Sequence, residues 1–541
     1  MFQLWAIGAL GLHPFAPRQS GLCSMREQSF ETHPDLFYDL RPTHSLPQHQ
    51  PAIMCYDILE MMNSAPLHQY PRSGITVLIV GTGFGGLTAA LECYRKGHDV
   101  RILERNQTTD TSGDMYFMGR SCAGIFKHWP DMKETFDRIS LDGAYIETFK
   151  HSGERMFPPT KVADRLRSKE GVVPGSFQMR PLIYSMLLEQ VEKLGIKIDY
   201  GMRVIDYFET DSNGGVELED GFRLTADLVI AADGVGSKSQ KLTGGQVRAR
   251  TSGRAMWRAV FDKSALEHAP NVKDFFCMKD DNEPIVRTFF GPNVYALTLS
   301  RDDRLVWIMN HDATGSEAES WHNTISADEV LKAMDEVPGP TKWAPEFRDL
   351  VKASPPNSIV NFELWWRDPQ PSWSSPGARV VQIGDAAHSF LPSSGNGATQ
   401  AMEDAISLAS CLAECGNADN VPEAVKAHVR FRFVRTSCAQ KMGFANAELL
   451  QNTDWNKVKI DPRKSSPKLP KWVWNHDPEY YAHSNYRACV DGMKKGIRIE
   501  HDERVPPSWP PGYVYEPWTI DDIMEDLRHG REVELGAGDW S

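Results

Sequence analysis

The 541-residue chain contains no C-x-x-C pair and no excess of basic charge. No apolar run in it approaches the ~20 residues that a membrane span needs. Its 59 Lys plus Arg stand against 72 Asp plus Glu, a net charge of −13, which argues against nucleic acid as a partner because phosphate neutralisation needs a basic surface. Nine cysteines, odd in number and scattered, make neither a disulfide framework nor a zinc knuckle and fit a reducing compartment. The N-terminal MFQLWAIGALGL is apolar but short, with no positively charged flank and no small-residue cleavage site, so it does not read as a signal peptide. No internal repeat occurs. What is present, 41% hydrophobic and 24% charged residues, is ordinary globular composition. The expectation is a soluble cytoplasmic protein.

Residues 1–72 are rich in Pro, His, Gln and Ser and read as an N-terminal extension. The body then opens with Ile75 to Val80, a continuous β-rich apolar run typical of a parallel strand buried on both faces. A glycine-rich turn, a helical stretch from Leu87, Gly97 as a stop and a second strand, Val100 to Arg105, complete a βαβ unit. Leu182, Ile183, Met186, Leu187, Val191 and Leu194 predict a helix ending at Gly195. Strands are predicted over 204–208, 215–219 and 227–231, and alternating runs within 246–374 predict a mixed or antiparallel sheet that forms a substrate domain. A last βα pair covers 378–383 and 398–412, and the Pro-, Trp- and Tyr-rich residues 451–541 read as an extended tail over the body.

Three motifs carry the chemistry. Gly81-x-Gly83-x-x-Gly86 follows a buried strand and opens a helix, where backbone N–H groups and the helix dipole can hold a pyrophosphate. Glu104 ends the second strand, in place to accept hydrogen bonds from a ribose. The strand 227–231 runs into Asp233-Gly234, and a third strand runs into Gly384-Asp385, followed by the loop through Pro392, Gly395, Asn396 and Gly397 into a helix carrying Glu403-Asp404. Asp385 therefore emerges at the carboxyl end of a buried strand, where open α/β sheets place ligands.

Together GTGFGG with LER, IAADGVGS and GDAAHSFLPSSGNGATQAMEDA resemble the group A flavoprotein monooxygenases, single-component FAD-dependent aromatic hydroxylases of the salicylate hydroxylase type. The resemblance spans roughly 74–445, and the aromatic tail is similar to fungal members of secondary metabolism. It implies an α/β fold in which a three-layer, Rossmann-like FAD-binding domain of glutathione reductase type, 73–245 plus 375–450, is interleaved with a mixed-sheet substrate domain, 246–374. It also implies FAD as cofactor and NAD(P)H as transient co-substrate. Cofactor contacts fall on Gly81, Gly83, Gly86, Glu104, Arg105, Arg180, Val204, Asp233, Asp385, Pro392, Gly395, Asn396, Gly397 and Ala398. Gln240 departs from the family, where the Asp-Gly motif usually ends in arginine, and so does Gly124, where many relatives carry arginine.

The implied reaction passes O₂ through a flavin hydroperoxide to an electron-rich carbon of a small aromatic substrate, a phenolic or aromatic acid, with or without decarboxylation. The catalytic candidates are Arg258, Tyr295 and His311, each of which also reads as an ordinary sheet residue; His388 reads as part of the GDAAH turn, and the indole pair Trp365-Trp366 as core. Epoxidation of an indole, polyketide or terpenoid is the alternative. A non-catalytic flavin- or prenyl-binding escort fits less well, because an escort has no use for a loop built around a reactive ring, and no lysine motif marks a halogenase.

Overall fold

The run Thr76–Val80 pairs in parallel with Asp99–Glu104 on one side and Leu228–Ala231 on the other. This is the centre of a five-stranded parallel sheet ordered 380–382, 228–231, 76–80, 99–104, 197–200. The computed structural model describes residues 70–541 except 110, 245–248, 278–282, 292–293, 314, 316–319, 321, 337–341, 452, 454, 461–466 and 530. The extension expected over 1–72 thus lies outside the described residues up to position 69.

Alternation along the central strand fixes the layers. Val77 and Ile79 point to one face, where they share a core with Leu87 and Leu91 of helix Phe84–Arg95, Ile183 and Leu187 of Arg180–Lys193, and Met402 and Leu408 of Gly397–Cys415. Leu78 and Val80 point to the other, against Tyr207, Val216 and Leu218 of a three-stranded antiparallel sheet. Three layers result.

A seven-stranded sheet is ordered 359–366, 250–262, 304–312, 294–301, 285–291, 145–150, 155–161. One face packs Trp257, Phe289, Trp307 and Met309 against Phe347 and Leu350 of helix Pro345–Ala353 and Val330 of Ala327–Glu336. The sheet extends beyond the expected 246–374: Tyr145–Lys150 joins it by a parallel pairing with Ile285–Gly291 and brings Arg155–Lys161 as its edge. Both come from the stretch assigned to the cofactor domain. Parallel pairing links residues far apart in sequence, so no local pattern announces it.

The expected extended tail is instead partly helical. Pro478–Lys494 is a 17-residue helix, started by Asp477, whose side chain accepts from the Tyr480 N–H, with Pro at the first position. Its buried Ala482, Tyr486, Cys489 and Val490 follow the i, i+4, i+7, i+8 spacing that aromatic and proline content had masked. Ile520–Arg528 opens with a capping box between Thr519 and Asp522. Trp366 is buried against Phe444 and Trp518, as a core residue. The described cysteines are all free.

The tail helix is tied down by a buried charge cluster. Glu92 accepts from Arg95, Lys96 and the Trp129 indole, while Glu479 accepts from Lys96 at 2.8 Å, from Arg95, and meets His128 Nε2 at 2.6 Å. Burial alone would raise both carboxyls; Lys96 foremost overcomes it and holds both below the ordinary carboxylate range. A carboxylate whose folded pKa is depressed stabilises the protein above its unfolded value, 4.5 here, and loses that contribution as pH falls from there through the folded pKa. The urea midpoint is therefore expected to drop on acidification below about pH 4.5. Glu479→Gln should be less stable at neutral pH and should flatten that acid limb; an unchanged limb would remove the cluster from acid unfolding.

Candidate active site

The glycine turn is shaped by contacts as much as by dihedrals. Gly81 has φ +102°, and a Cβ on it would run into the Ala232 carbonyl; a Cβ on Gly86 would collide with the Gly81 carbonyl. Gly83 has open space before it and lines a cleft. It is the N-cap of helix Phe84–Arg95, with no side-chain cap, so the first N–H groups are left for an anion. Glu104 is buried and accepts from the Thr82 hydroxyl at 2.7 Å, from the Thr82 N–H at 3.2 Å and from the Asn106 N–H at 2.9 Å. It locks the second strand to the turn, with carboxylate lone pairs left over for a ribose.

The second and third motifs meet the same cleft. Gly234, with φ +82° and no neighbour within 4 Å of its would-be Cβ, lines it. Asp233 accepts from Tyr207 at 2.8 Å, and burial raises its pKa against the hydrogen bonds of Ser237 and Tyr207 and the charge of Arg105. Asp385 follows Gly384 and faces the open cleft; the protein walls push its pKa up against the pull of His388 and Arg367. Gly395 adopts φ +60°, and Gly397 opens helix Gly397–Cys415, again without a side-chain cap. Pro392, Asn396, Ala398 and Ala401 line the wall beside that helix end. Arg180 donates to the Ser112 carbonyl and sits over the rings of Phe84 and Tyr184.

Outside the cleft lining lie Gly81, Gly86, Glu104 and Asp233, which shape its turns from behind, and also Arg105, exposed at the end of the second strand, and Val204, which packs on the core beneath the three-stranded sheet. His388 bonds Asp404 through Nε2 at 2.6 Å, as a turn residue.

The cleft, about 500 Å³, continues from these motifs over the face of the large sheet opposite helices 327–336 and 345–353. Phe117, Phe177, Phe290, Leu297, Ile308 and Leu450 make it apolar. Arg258 and Tyr295 both line it. Arg258 is also ion-paired with the buried Asp114, Nε to Oδ2 at 2.9 Å, so its charge is already shared with a carboxylate. Burial raises the Asp114 pKa despite Arg258. Tyr295 is pushed up to about 12 by burial, against Arg254 and Arg258, so its hydroxyl stays protonated at neutral pH. His311 does not line the cleft. Strand residues alternate faces, and His311, an odd step from Ile308, stacks on Trp257 at 3.9 Å on the opposite side, with Nδ1 against the Asp312 carbonyl.

Two uncapped helix starts, an open glycine cradle and an acid facing the cleft suit a long dinucleotide with a diphosphate and a hydroxyl-rich chain. The comparisons agree. Residues 76–158 and 179–430 each match a model described as an FAD binding domain. The FAD-dependent monooxygenase dmxR9 of Cryptosporiopsis sp. (strain 8999) is 38% identical over 483 residues, 87% of this chain and 91% of its own. This chain belongs to the FAD-dependent monooxygenases. The family is also visible in three dimensions: the crystal structure of CtdE with FAD and substrate 4 shares a TM-score of 0.69 at 27% identity, over 78% of this chain and 100% of that one. A salicylate hydroxylase substrate complex, TM-score 0.59 at 20% identity over 77% of this chain and 98% of its own, shares the fold. The parallel sheet with its three layers is thus the family's FAD-binding architecture, and FAD is the cofactor.

Sequence reasoning missed Asp114, Arg165 and Arg367. Asp114 and Arg165 line the cleft, and Arg367 braces its loops from behind. None sits in a motif or a periodic run, and no local signal could have found them.

Among the cofactor residues, Asp385→Ala is expected to weaken FAD affinity roughly 10- to 150-fold, the worth of one or more charge-assisted bonds at ~1.5–3 kcal/mol. Flavin titration with circular dichroism checks it. Wild-type affinity in a folded variant would remove Asp385 from the site. Among the described residues, no helix is long and apolar enough to cross a membrane.

Proposed function

We propose that this monooxygenase hydroxylates a phenolic aromatic substrate, with NAD(P)H as reductant and O₂ as oxygen source. FAD, when bound, would pass electrons from NAD(P)H to O₂ and so allow one oxygen atom of O₂ to be transferred to the ring while the other leaves as water. The observation that carries the reading is the single cleft that joins the cofactor motifs to an apolar pocket in which Arg258 and Tyr295 are donors. A ring that must be attacked by an electrophilic oxygen is activated by ionising its phenol, and those two donors stabilise the phenolate. Asp114, ion-paired with Arg258 and raised in pKa by burial, takes the phenol proton. As it does so, Arg258 exchanges one anionic partner for another and the buried charge stays constant. Because Asp114 already occupies Arg258, a neutral phenol is a better substrate than an aromatic acid. The apolar wall excludes water, and the uncapped helix start at Gly397 has N–H groups that would favour negative charge gained by FAD on reduction.

The test is oxidation of NADPH and of NADH by the FAD-loaded enzyme over a panel of phenols, aromatic acids and alkenes, with ¹⁸O₂ and mass spectrometry. A phenol-dependent product that gains one labelled oxygen and keeps its aromatic ring supports the proposal. Products formed only from alkenes or indoles, as epoxides, would replace it with the alternative reaction.

A further inference from the structure

Arg367 is a guanidinium buried to 2% exposure in the linker that leaves the large sheet. Among the described residues it has no carboxylate within ion-pair distance. Its bonds go to two carbonyls: Nη1 donates to Ala386 at 2.5 Å and Nη2 to Val235 at 2.6 Å. Each carbonyl belongs to a residue next to one that lines the cleft, Asp385 in one loop and Gly234 in the other. The loops are held in turn, since the Arg367 N–H donates to Ser389 Oγ at 2.7 Å and Gln440 donates to the Ser389 carbonyl at 2.7 Å. Gln240, where the Asp-Gly motif of relatives usually ends in arginine, donates to the same Ala386 carbonyl at 2.9 Å and is held by Gln370 at 3.2 Å. A side chain at 240 therefore reaches the acceptor that Arg367 uses.

From this clamp we infer that Arg367 is a positioning residue for FAD: it joins the two cofactor loops across their backs and supplies the positive charge that position 240 lacks. Burying a cation without a paired anion is costly, and that cost is offset where an anionic ligand completes the site. FAD carries a diphosphate and gains negative charge on reduction. A cation fixed in the low-dielectric layer behind the loops favours both. Burial lowers the Arg367 pKa to about 10, with Asp385 and Asp233 opposing, so the charge is present at neutral pH.

The test reads FAD release from the purified holoprotein and the midpoint potential of bound FAD, both without substrate. Failure here therefore leaves the phenol proposal untouched. Arg367→Gln is expected to weaken FAD affinity about tenfold or more and to make the potential more negative. Arg367→Lys keeps the charge and loses the fork, so the potential should stay near wild type while affinity falls. Adding Gln240→Arg to Arg367→Gln should restore affinity and potential together. Wild-type affinity and potential in Arg367→Gln, or no recovery in the double variant, would overturn the assignment. Should Arg367→Gln fail to fold, Arg367→Lys decides: weaker binding at an unchanged potential supports the clamp, and any other pairing overturns it.

Discussion

Tyr295→Phe is expected to lower kcat/KM on a phenolic substrate by about 10²- to 10³-fold, the loss seen when one donor to a developing oxyanion is removed. The reason lies in the isolation of the site. Tyr295 is buried, its hydroxyl remains protonated up to about pH 12, and it shares an apolar wall with Phe290, Leu297 and Ile308. A donor in such surroundings is worth more than in water because no solvent competes with it. Removing it raises the pKa of the bound phenol, so the limb of the pH profile that reports phenol ionisation moves to higher pH. Part of the lost activity should return in alkaline buffer. FAD affinity should stay at its wild-type value. A variant with unchanged kcat/KM and an unmoved pH limb would take Tyr295 out of the chemistry.

Glu403→Ala is expected to cost about 3–5 kcal/mol of stability, the scale for removing one member of a buried charge network. Glu403 accepts from Arg432 at 2.5 Å, from Arg435 at 2.8 and 3.0 Å, and from Ser121 at 2.6 Å, with every one of these charges buried. Burial would raise its pKa; Arg435 and Arg432 hold it far below the carboxylate range. The network spans more than the two helices that carry it. Arg435 donates onward to the Trp472, Val473 and Ser508 carbonyls of the tail, and Arg432 to Asp404, which accepts from the Gly384 N–H at 2.9 Å. Removing Glu403 leaves two buried guanidinium groups short of a partner and loosens both the tail and the turn before Asp385. Chemical denaturation of the holoprotein would show the lower midpoint. A change under 1 kcal/mol would mean that water or a shift of Asp404 compensates.

The extent to which this site was legible varies with how each group works. The turn of Gly81, Gly83 and Gly86, and Asp385 after Gly384, could be read at once, because a strand end, a glycine turn and a helix start are written in a few consecutive residues. The helix Pro478–Lys494 was present in the spacing of Ala482, Tyr486 and Cys489 but was hidden by a composition that suggested an extended chain.

The substrate end obeys a different rule. Arg258, Tyr295 and His311 were equal candidates on paper, all in strands of one sheet. Strand alternation puts the first two over the cleft and the third against Trp257 on the far side. Asp114 reaches Arg258 from a segment far away in the chain, and Arg367 reaches Val235 and Ala386 from another. The sequence by itself therefore determined the fold class, the cofactor and the glycine turns at strand ends that meet at the cleft, since those are local in the chain. Only the tertiary structure decided which side chains face the cleft and which charges share a buried partner. Sheet register and long-range packing set those, and neither leaves a periodic trace in sequence.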